Sequence, residues 1–154
     1  MTSLGHNYIH IYSDGACSGN QLKGNKGGWA AVMISNNKKK EISGCECNTT
    51  NQRMELTAAI KALETLKSNN FEVRLYTDSA YITNCFNEKW YIKWKKNGWL
   101  NSNRQPVKNR DLWERLIELV DKFNVKILKV KGHSGDEYNE RADKLAKDVL
   151  MNGC

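Results

Sequence analysis

The chain has 154 residues, 40% of them hydrophobic and 27% charged, with one proline and a net charge of +7. That is the size of one ordinary domain, large enough to bury a core without disulfides or metals. No apolar run approaches the roughly 18 residues of a membrane span, and the start Met1-Thr-Ser-Leu-Gly-His6 lacks the basic head and apolar stretch of a signal peptide, so a soluble, cytoplasmic, membrane-free protein is expected.

Tyr8–Ser13, rich in β-branched and aromatic residues, predicts a strand closed by Asp14-Gly15. The glycine-rich Gly19–Gly28 reads as a loop, Trp29–Ser35 as a second strand, Asn36–Lys40 as a polar turn and Glu41–Glu46 as a third strand. Their spacing suits an antiparallel meander. From Asn51 to Lys67 the period changes: Met54, Leu56, Ala59, Ile60, Leu63 and Leu66 recur at helical spacing, with Thr50 or Asn51 as N-cap. Phe71–Thr77 predicts a strand running into Asp78-Ser79, which caps a helix over Ala80–Phe86. Trp90–Lys96 is a short helix ended by Asn97-Gly98. After a loop to Pro106 come a helix from Asn109 to Lys122, a strand at Val125–Val130 and a helix at Asn139–Met151. No repeat, low-complexity tract or linker interrupts this order, so residues 1–154 are expected to form a single α/β domain, a mixed sheet with helices packed over it. Five cysteines is an odd count, and Cys45 with Cys47 makes only a weak zinc signal, so reduced thiols are expected.

Four acids stand at informative places in this order. Asp14 and Asp78 each sit just past the carboxyl end of a predicted strand, where ligands gather in open α/β sheets. A crossover through the Asn51–Lys67 helix places their strands parallel and side by side. Glu55 and Asp143 each lie early in a helix at the edge of its apolar stripe. Taken singly, each has an ordinary role as turn former, cap or first-turn acid. Taken together, four clustered carboxylates repel one another unless a cation is present, and an all-oxygen donor set favours Mg²⁺ or Mn²⁺.

The charge is just as unevenly placed. From Asn87 to Arg110 seven cations, Lys89, Lys93, Lys95, Lys96, Arg104, Lys108 and Arg110, face the single acid Glu88, so this segment carries +6 of the net +7. A cationic patch on a nearly neutral body points to a polyanionic partner. Trp90, Trp94 and Trp99 interleave with Lys93, Lys95 and Lys96, which suits a surface that packs on sugars and neutralises phosphates. Trp90 and Trp94 are expected to be partly structural, and Trp99 to face nucleic acid.

Asp14-Gly15-Ala16-Cys17, Thr50-Asn51-Gln52-Arg53-Met54-Glu55-Leu56, Thr77-Asp78-Ser79, Val130-Lys131-Gly132-His133-Ser134-Gly135 and Asn139-Glu140-Arg141-Ala142-Asp143 resemble, in order, the successive motifs of type 1 ribonuclease H, over roughly Tyr8 to Leu150. The resemblance implies an RNase H-like fold: a five-stranded mixed sheet, three antiparallel strands then two parallel, with helices on both faces. It implies a monomeric endonuclease that hydrolyses the RNA strand of RNA–DNA hybrids and leaves 5′-phosphate and 3′-hydroxyl ends. Asp14, Glu55, Asp78 and Asp143 would hold two Mg²⁺ ions, or Mn²⁺ in their place. Asp14 would bridge both ions, Glu55 and Asp78 would share one, and Asp143 would take the other. His133 would serve as an auxiliary proton relay or aid product release. Cys17, Asn20, Asn51 and Gln52 would line the minor groove of the hybrid, Thr50 and Asn109 a pocket for a DNA-strand phosphate, and the segment with Trp90, Lys93, Lys95, Lys96 and Trp99 a basic protrusion.

The chain departs from some family members in its longer, more basic Gly19–Gly28 loop and in Ala80, where they carry glutamine. No separate hybrid-binding domain is expected before Tyr8. The rival readings are a non-catalytic hybrid-binding module and a nuclease of the same architecture acting on another nucleic acid.

Overall fold

The computed structural model of the chain describes residues 8–19, 24–130 and 137–152. Three strands open it, β1 (Tyr8–Gly19), β2 (Asn25–Ser35) and β3 (Lys38–Cys47), followed by helix α1 (Asn51–Glu64) and strand β4 (Glu72–Thr77). Then come α2 (Ala80–Asn87), α3 (Trp90–Asn97), α4 (Arg110–Lys122), β5 (Val125–Lys129) and α5 (Glu137–Met151). The strands form one sheet in the order β3-β2-β1-β4-β5. β1–β2 and β2–β3 are antiparallel, β1–β4 and β4–β5 parallel. This is the five-stranded mixed sheet expected from the sequence.

Side chains alternate across the sheet. Ile11, Ala31, Met33, Val73 and Leu75 face a core completed by Leu56, Ile60 and Leu63 of α1 and Trp113, Leu116 and Leu119 of α4. Each large side chain taken wholly out of water there contributes about 1.5–3 kcal/mol. Trp113 is fully buried, and its indole N–H donates to the Tyr81 hydroxyl at 2.8 Å, so burial strands no donor. Ala30 and Val32 are equally excluded from solvent but belong to the opposite face, where α5 packs across β1, β2 and β3. Helices thus cover both faces, as expected. Among the described residues, no helix is long and apolar enough to cross a membrane.

Several boundaries differ from the sequence reading for identifiable reasons. The expected Gly19–Gly28 loop is a strand from Asn25 onward, because β1 continues to Gly19 and pairs with it, Cys17 opposite Gly27 and Ala16 opposite Gly28. Those glycines serve packing rather than a turn: a Cβ on Gly27 would press on Thr49 and Met54, and one on Gly28 on the Ala146 carbonyl. α1 stops at Glu64, not Lys67, because the Thr65 hydroxyl donates to the Ala62 carbonyl at 2.7 Å, competing with the helical ladder. Thr50 is the N-cap, its Oγ1 accepting from the Arg53 N–H at 3.1 Å. α3 ends as expected at Gly98, whose left-handed backbone (φ 78°) returns its N–H to the Trp94 carbonyl. Cys17, Cys47 and Cys85 are free thiols, but Cys45 is disulfide-bonded, which departs from the expectation of reduced cysteines throughout.

Candidate active site

β1 and β4 pair only from Tyr8–Glu72 to Tyr12–Tyr76. Past that point β1 stays with β2, Asp14 lying opposite Ala30, and β4 ends at Thr77. The strands therefore part just before Asp14 on one side and Asp78 on the other. Asp14 is not beyond its strand, as expected from the sequence, but beyond the end of the parallel ladder. That serves the same purpose.

Glu55 reaches this fork because α1 lies against β1 at Gly15. An ideal Cβ there would stand 2.5 Å from the Glu55 backbone nitrogen, so only glycine permits the contact. On the other face, Gly28 lets α5 approach just as closely at Ala146, one turn after Asp143. Ser79, which caps α2 by accepting from the Ile82 N–H at 3.2 Å, also favours the ionised Glu55 carboxylate.

The result is a carboxylate cluster. One oxygen from each of Asp14, Glu55 and Asp78 lies within 4.8 Å of the other two, and Asp143 acts on Asp14 through its side chain and charge. Three of the expected acids thus come together from β1, α1 and the end of β4, with Asp143 of α5 beside Asp14. Asp14 is buried, Glu55 and Asp143 half-buried, and Asp78 exposed, so the cluster opens to solvent on one side. Burial, then the charge of Asp78, then the bond to Asp143 push the Asp14 carboxyl from its ordinary 3.8 up to about 8, against the one Gly15 N–H that donates to it at 2.9 Å. Burial and Asp78 likewise raise Glu55 to about 7, which the Ser79 hydroxyl partly offsets. Anionic oxygens this close, and this poor in solvent, resist ionisation until a cation joins them. The donors are all hard oxygens, which fits Mg²⁺ or Mn²⁺ rather than a softer ion.

The expected nucleic-acid contacts among the described residues stand on β1, at the start of α1, on and just after α3 and just before α4. Cys17 Sγ accepts from Asn25 Nδ2 at 3.3 Å, and Asn25 also ties down the backbone of Thr49. Thr50, Asn51 and Gln52 are exposed at the start of α1. Asn109 precedes α4 with a left-handed backbone and gives α4 no side-chain cap. Its amide instead accepts from Arg53 at 3.2 Å and donates to the Tyr81 hydroxyl at 3.3 Å. Arg53 also forks onto Asp111 at 2.9 and 3.1 Å. The sequence reading passed over Arg53, although its place three residues after the Thr50 cap marks it as an outward residue of the same turn. It is the strut that joins the Thr50 end of α1 to Asn109.

Between α1 and the α3 protrusion runs an open cavity of about 620 Å³, lined by Gln52, Tyr81, Trp90, Lys93, Trp94 and Lys108 among others. Lys93, Lys95 and Lys96 are exposed along α3. Trp90 is half-buried, with its N–H donating to Glu88 at 3.2 Å. Trp99 departs from expectation. It is only 8% exposed, backed by Trp94 at 5.5 Å and covered by the Arg110 guanidinium at 5.1 Å. Its indole holds the protrusion to the body and does not face outward. Asn20 and His133 lie outside the described residues.

The sequence model of the family described as RNase H matches residues 6–151. The chain is 51% identical over 142 residues to the Ribonuclease H of Syntrophomonas wolfei, covering 92% of this chain and 95% of that one. To the Ribonuclease H of Acetivibrio thermocellus it is 54% identical over 142 residues, 92% of this chain and 94% of the relative. Among solved structures it resembles LC9-RNase H1, a type 1 RNase H with the type 2 active-site motif, with a TM-score of 0.82 and 26% identity over 97% of this chain and 74% of that one.

Proposed function

This chain belongs to the ribonuclease H family, and on that footing we propose that it is a monomeric, single-domain endonuclease that hydrolyses the RNA strand of RNA–DNA hybrids with Mg²⁺, leaving 5′-phosphate and 3′-hydroxyl ends. The observation that carries this reading is the carboxylate cluster at the sheet fork, with Asp14, Glu55 and Asp78 oxygens within 4.8 Å of one another and Asp143 acting on Asp14 beside them.

Asp14, the most central acid, would hold divalent cations together with Glu55, Asp78 and Asp143, and when bound these would supply activation of water, neutralisation of the phosphoryl oxygens and stabilisation of the leaving alkoxide. Mn²⁺ suits the same donors. The protein's own part is placement. Gly15 and Gly28 bring α1 and α5 in, the Ser79 hydroxyl steadies Glu55, and the poorly solvated position of Asp14 strengthens electrostatic interactions at the cluster. His133 is assigned an auxiliary role in moving a proton or releasing product.

The hybrid lies across one face. The exposed lysines of α3 neutralise the DNA strand along the cavity beside Gln52, while Thr50 and Asn109, joined through Arg53, receive one of its phosphates. Cys17, Asn20, Asn51 and Gln52 meet the minor groove, where 2′-hydroxyls distinguish the RNA strand.

The test is a labelled RNA–DNA hybrid incubated with Mg²⁺ and wild-type protein or Asp78→Asn, with and without EDTA, beside double-stranded RNA and double-stranded DNA. Cleavage of the hybrid's RNA by wild type alone, abolished by EDTA, is expected. Binding without cleavage by wild type would make the chain a hybrid-binding module, and preferential cutting of DNA would make it a different nuclease.

A further inference from the structure

Lys147 stands one helical turn after Asp143 on α5 and brings its Nζ to 3.0 Å from Asp143 Oδ2. An i,i+4 pair on an exposed helix ordinarily contributes little, and Lys144–Asp148 at 3.1 Å on the same helix is such a pair. The acid makes the Lys147 pair different. Asp143 acts on the buried Asp14 through its side chain and charge, and the charge of Asp14 acts on the Lys147 ammonium too. Among the described residues, Lys147 is the only cation that pairs with any of the four clustered carboxylates.

We propose that Lys147 is the resident counter-cation of the site: it occupies Asp143 in the metal-free protein and competes with the divalent cation that Asp143 takes up. The ammonium is a compact point charge on a flexible four-carbon stem, and its side chain is 61% exposed, so it can leave Asp143 for solvent without disturbing the fold. While it stays, it engages an oxygen that a cation needs and repels that cation from close range. The consequence is asymmetric. The ion held by Glu55 and Asp78 meets no such competitor, whereas the ion on the Asp143 side binds more weakly and fills best when a substrate phosphate adds its own negative charge. The inference rests on the reading of Asp143 as a cation ligand.

The experiment is calorimetric titration of Mn²⁺ into the full chain without nucleic acid, for wild type, Lys147→Gln, Lys147→Arg, Asp143→Asn and the double variant Asp143→Asn/Lys147→Gln. Lys147→Gln is expected to lower the Kd of the weaker Mn²⁺ roughly two- to fivefold, the span that a part-exposed ion pair allows. Lys147→Arg is expected to stay near wild type. In the Asp143→Asn background, removing Lys147 is expected to change nothing, because the two act as a coupled pair. An unchanged or higher Kd in Lys147→Gln overturns the proposal. So does a tightening that persists in Asp143→Asn, which marks a general loss of positive charge. If Asp143→Asn alone binds Mn²⁺ as wild type does, the assignment of Asp143 as a ligand fails and takes the proposal with it. Weakened binding in Asp143→Asn beside an indifferent Lys147→Gln defeats the proposal alone.

Discussion

Replacing Asp14 by asparagine should stabilise the metal-free protein at neutral pH while abolishing cleavage. Asp14 is 5% exposed and its carboxyl titrates at about 8 in the fold against an ordinary 3.8. Between those values the unfolded chain has released the proton and the native protein still holds it, so native stability falls as pH rises and the loss is complete above about pH 8. Each pH unit in that window costs about 1.4 kcal/mol, or about 3 kcal/mol from pH 5 to pH 7. For a chain of this size that is roughly 5–10 °C in Tm. The asparagine has nearly the same shape and no charge to desolvate, so its Tm should fall much less over the same interval. Comparing the two proteins cancels the titrating groups remote from the cluster. The assay is thermal unfolding in EDTA at pH 5, 6, 7 and 8, repeated with Mg²⁺. The cation should flatten the wild-type slope, because it binds the ionised cluster. Equal slopes in the two proteins would refute the reasoning.

Gly28→Ala should destabilise the fold by about 1–3 kcal/mol by urea unfolding, because its Cβ would press on the Ala146 carbonyl. It should also slow hybrid cleavage by shifting Asp143, and full activity in that variant would show that α5 need not lie so close. The Cys85 thiol, fully buried and pushed up to about 12, should resist alkylation at pH 8, where about one molecule in ten thousand is thiolate. Exposed Cys47 should react readily, and equal labelling by mass spectrometry would contradict this. Trp99→Phe should lower thermal stability while leaving hybrid affinity within about twofold, since the indole is packed inward. Lys93→Ala with Lys96→Ala should instead flatten the salt dependence of hybrid binding by roughly two units of log–log slope.

How much of this was legible beforehand depended on whether a signal was periodic or steric. The order of elements and the mixed sheet followed from alternation, helical spacing and the crossover rule, which also set Asp14 beside Asp78, while the meeting of all four acids came from the resemblance of the motifs. The second half of β1 and the start of β2 were missed because glycine has two uses that look alike in a sequence. At Gly27 and Gly28 it gives way to neighbours and does not turn the chain. Trp99 was read outward because aromatic–basic interleaving marks a binding surface and a packed protrusion equally well. Only the ring contacts to Trp94 and Arg110 separate the two. Ser79 was legible as a helix cap but not as a partner of Glu55, and the parts played by Arg53 and Lys147 stayed hidden because each acts through a partner on another element or one turn away.

The parting of β1 from β4 after Tyr12–Tyr76 has a mechanical side. The last rung between them is where the Tyr12 and Tyr76 rings stack at 4.6 Å, and Asp14 and Asp78 lie beyond it. No ladder bond joins the two ends to each other; β2 holds the Asp14 side and β5 holds β4 up to Thr77. Mg²⁺ demands oxygens at about 2.0–2.1 Å and tolerates little error. A rigid scaffold could rarely meet that tolerance by itself. Here the two acids come from strand ends with separate ladder partners, so the sheet sets their approach while no ladder bond between them fixes their spacing.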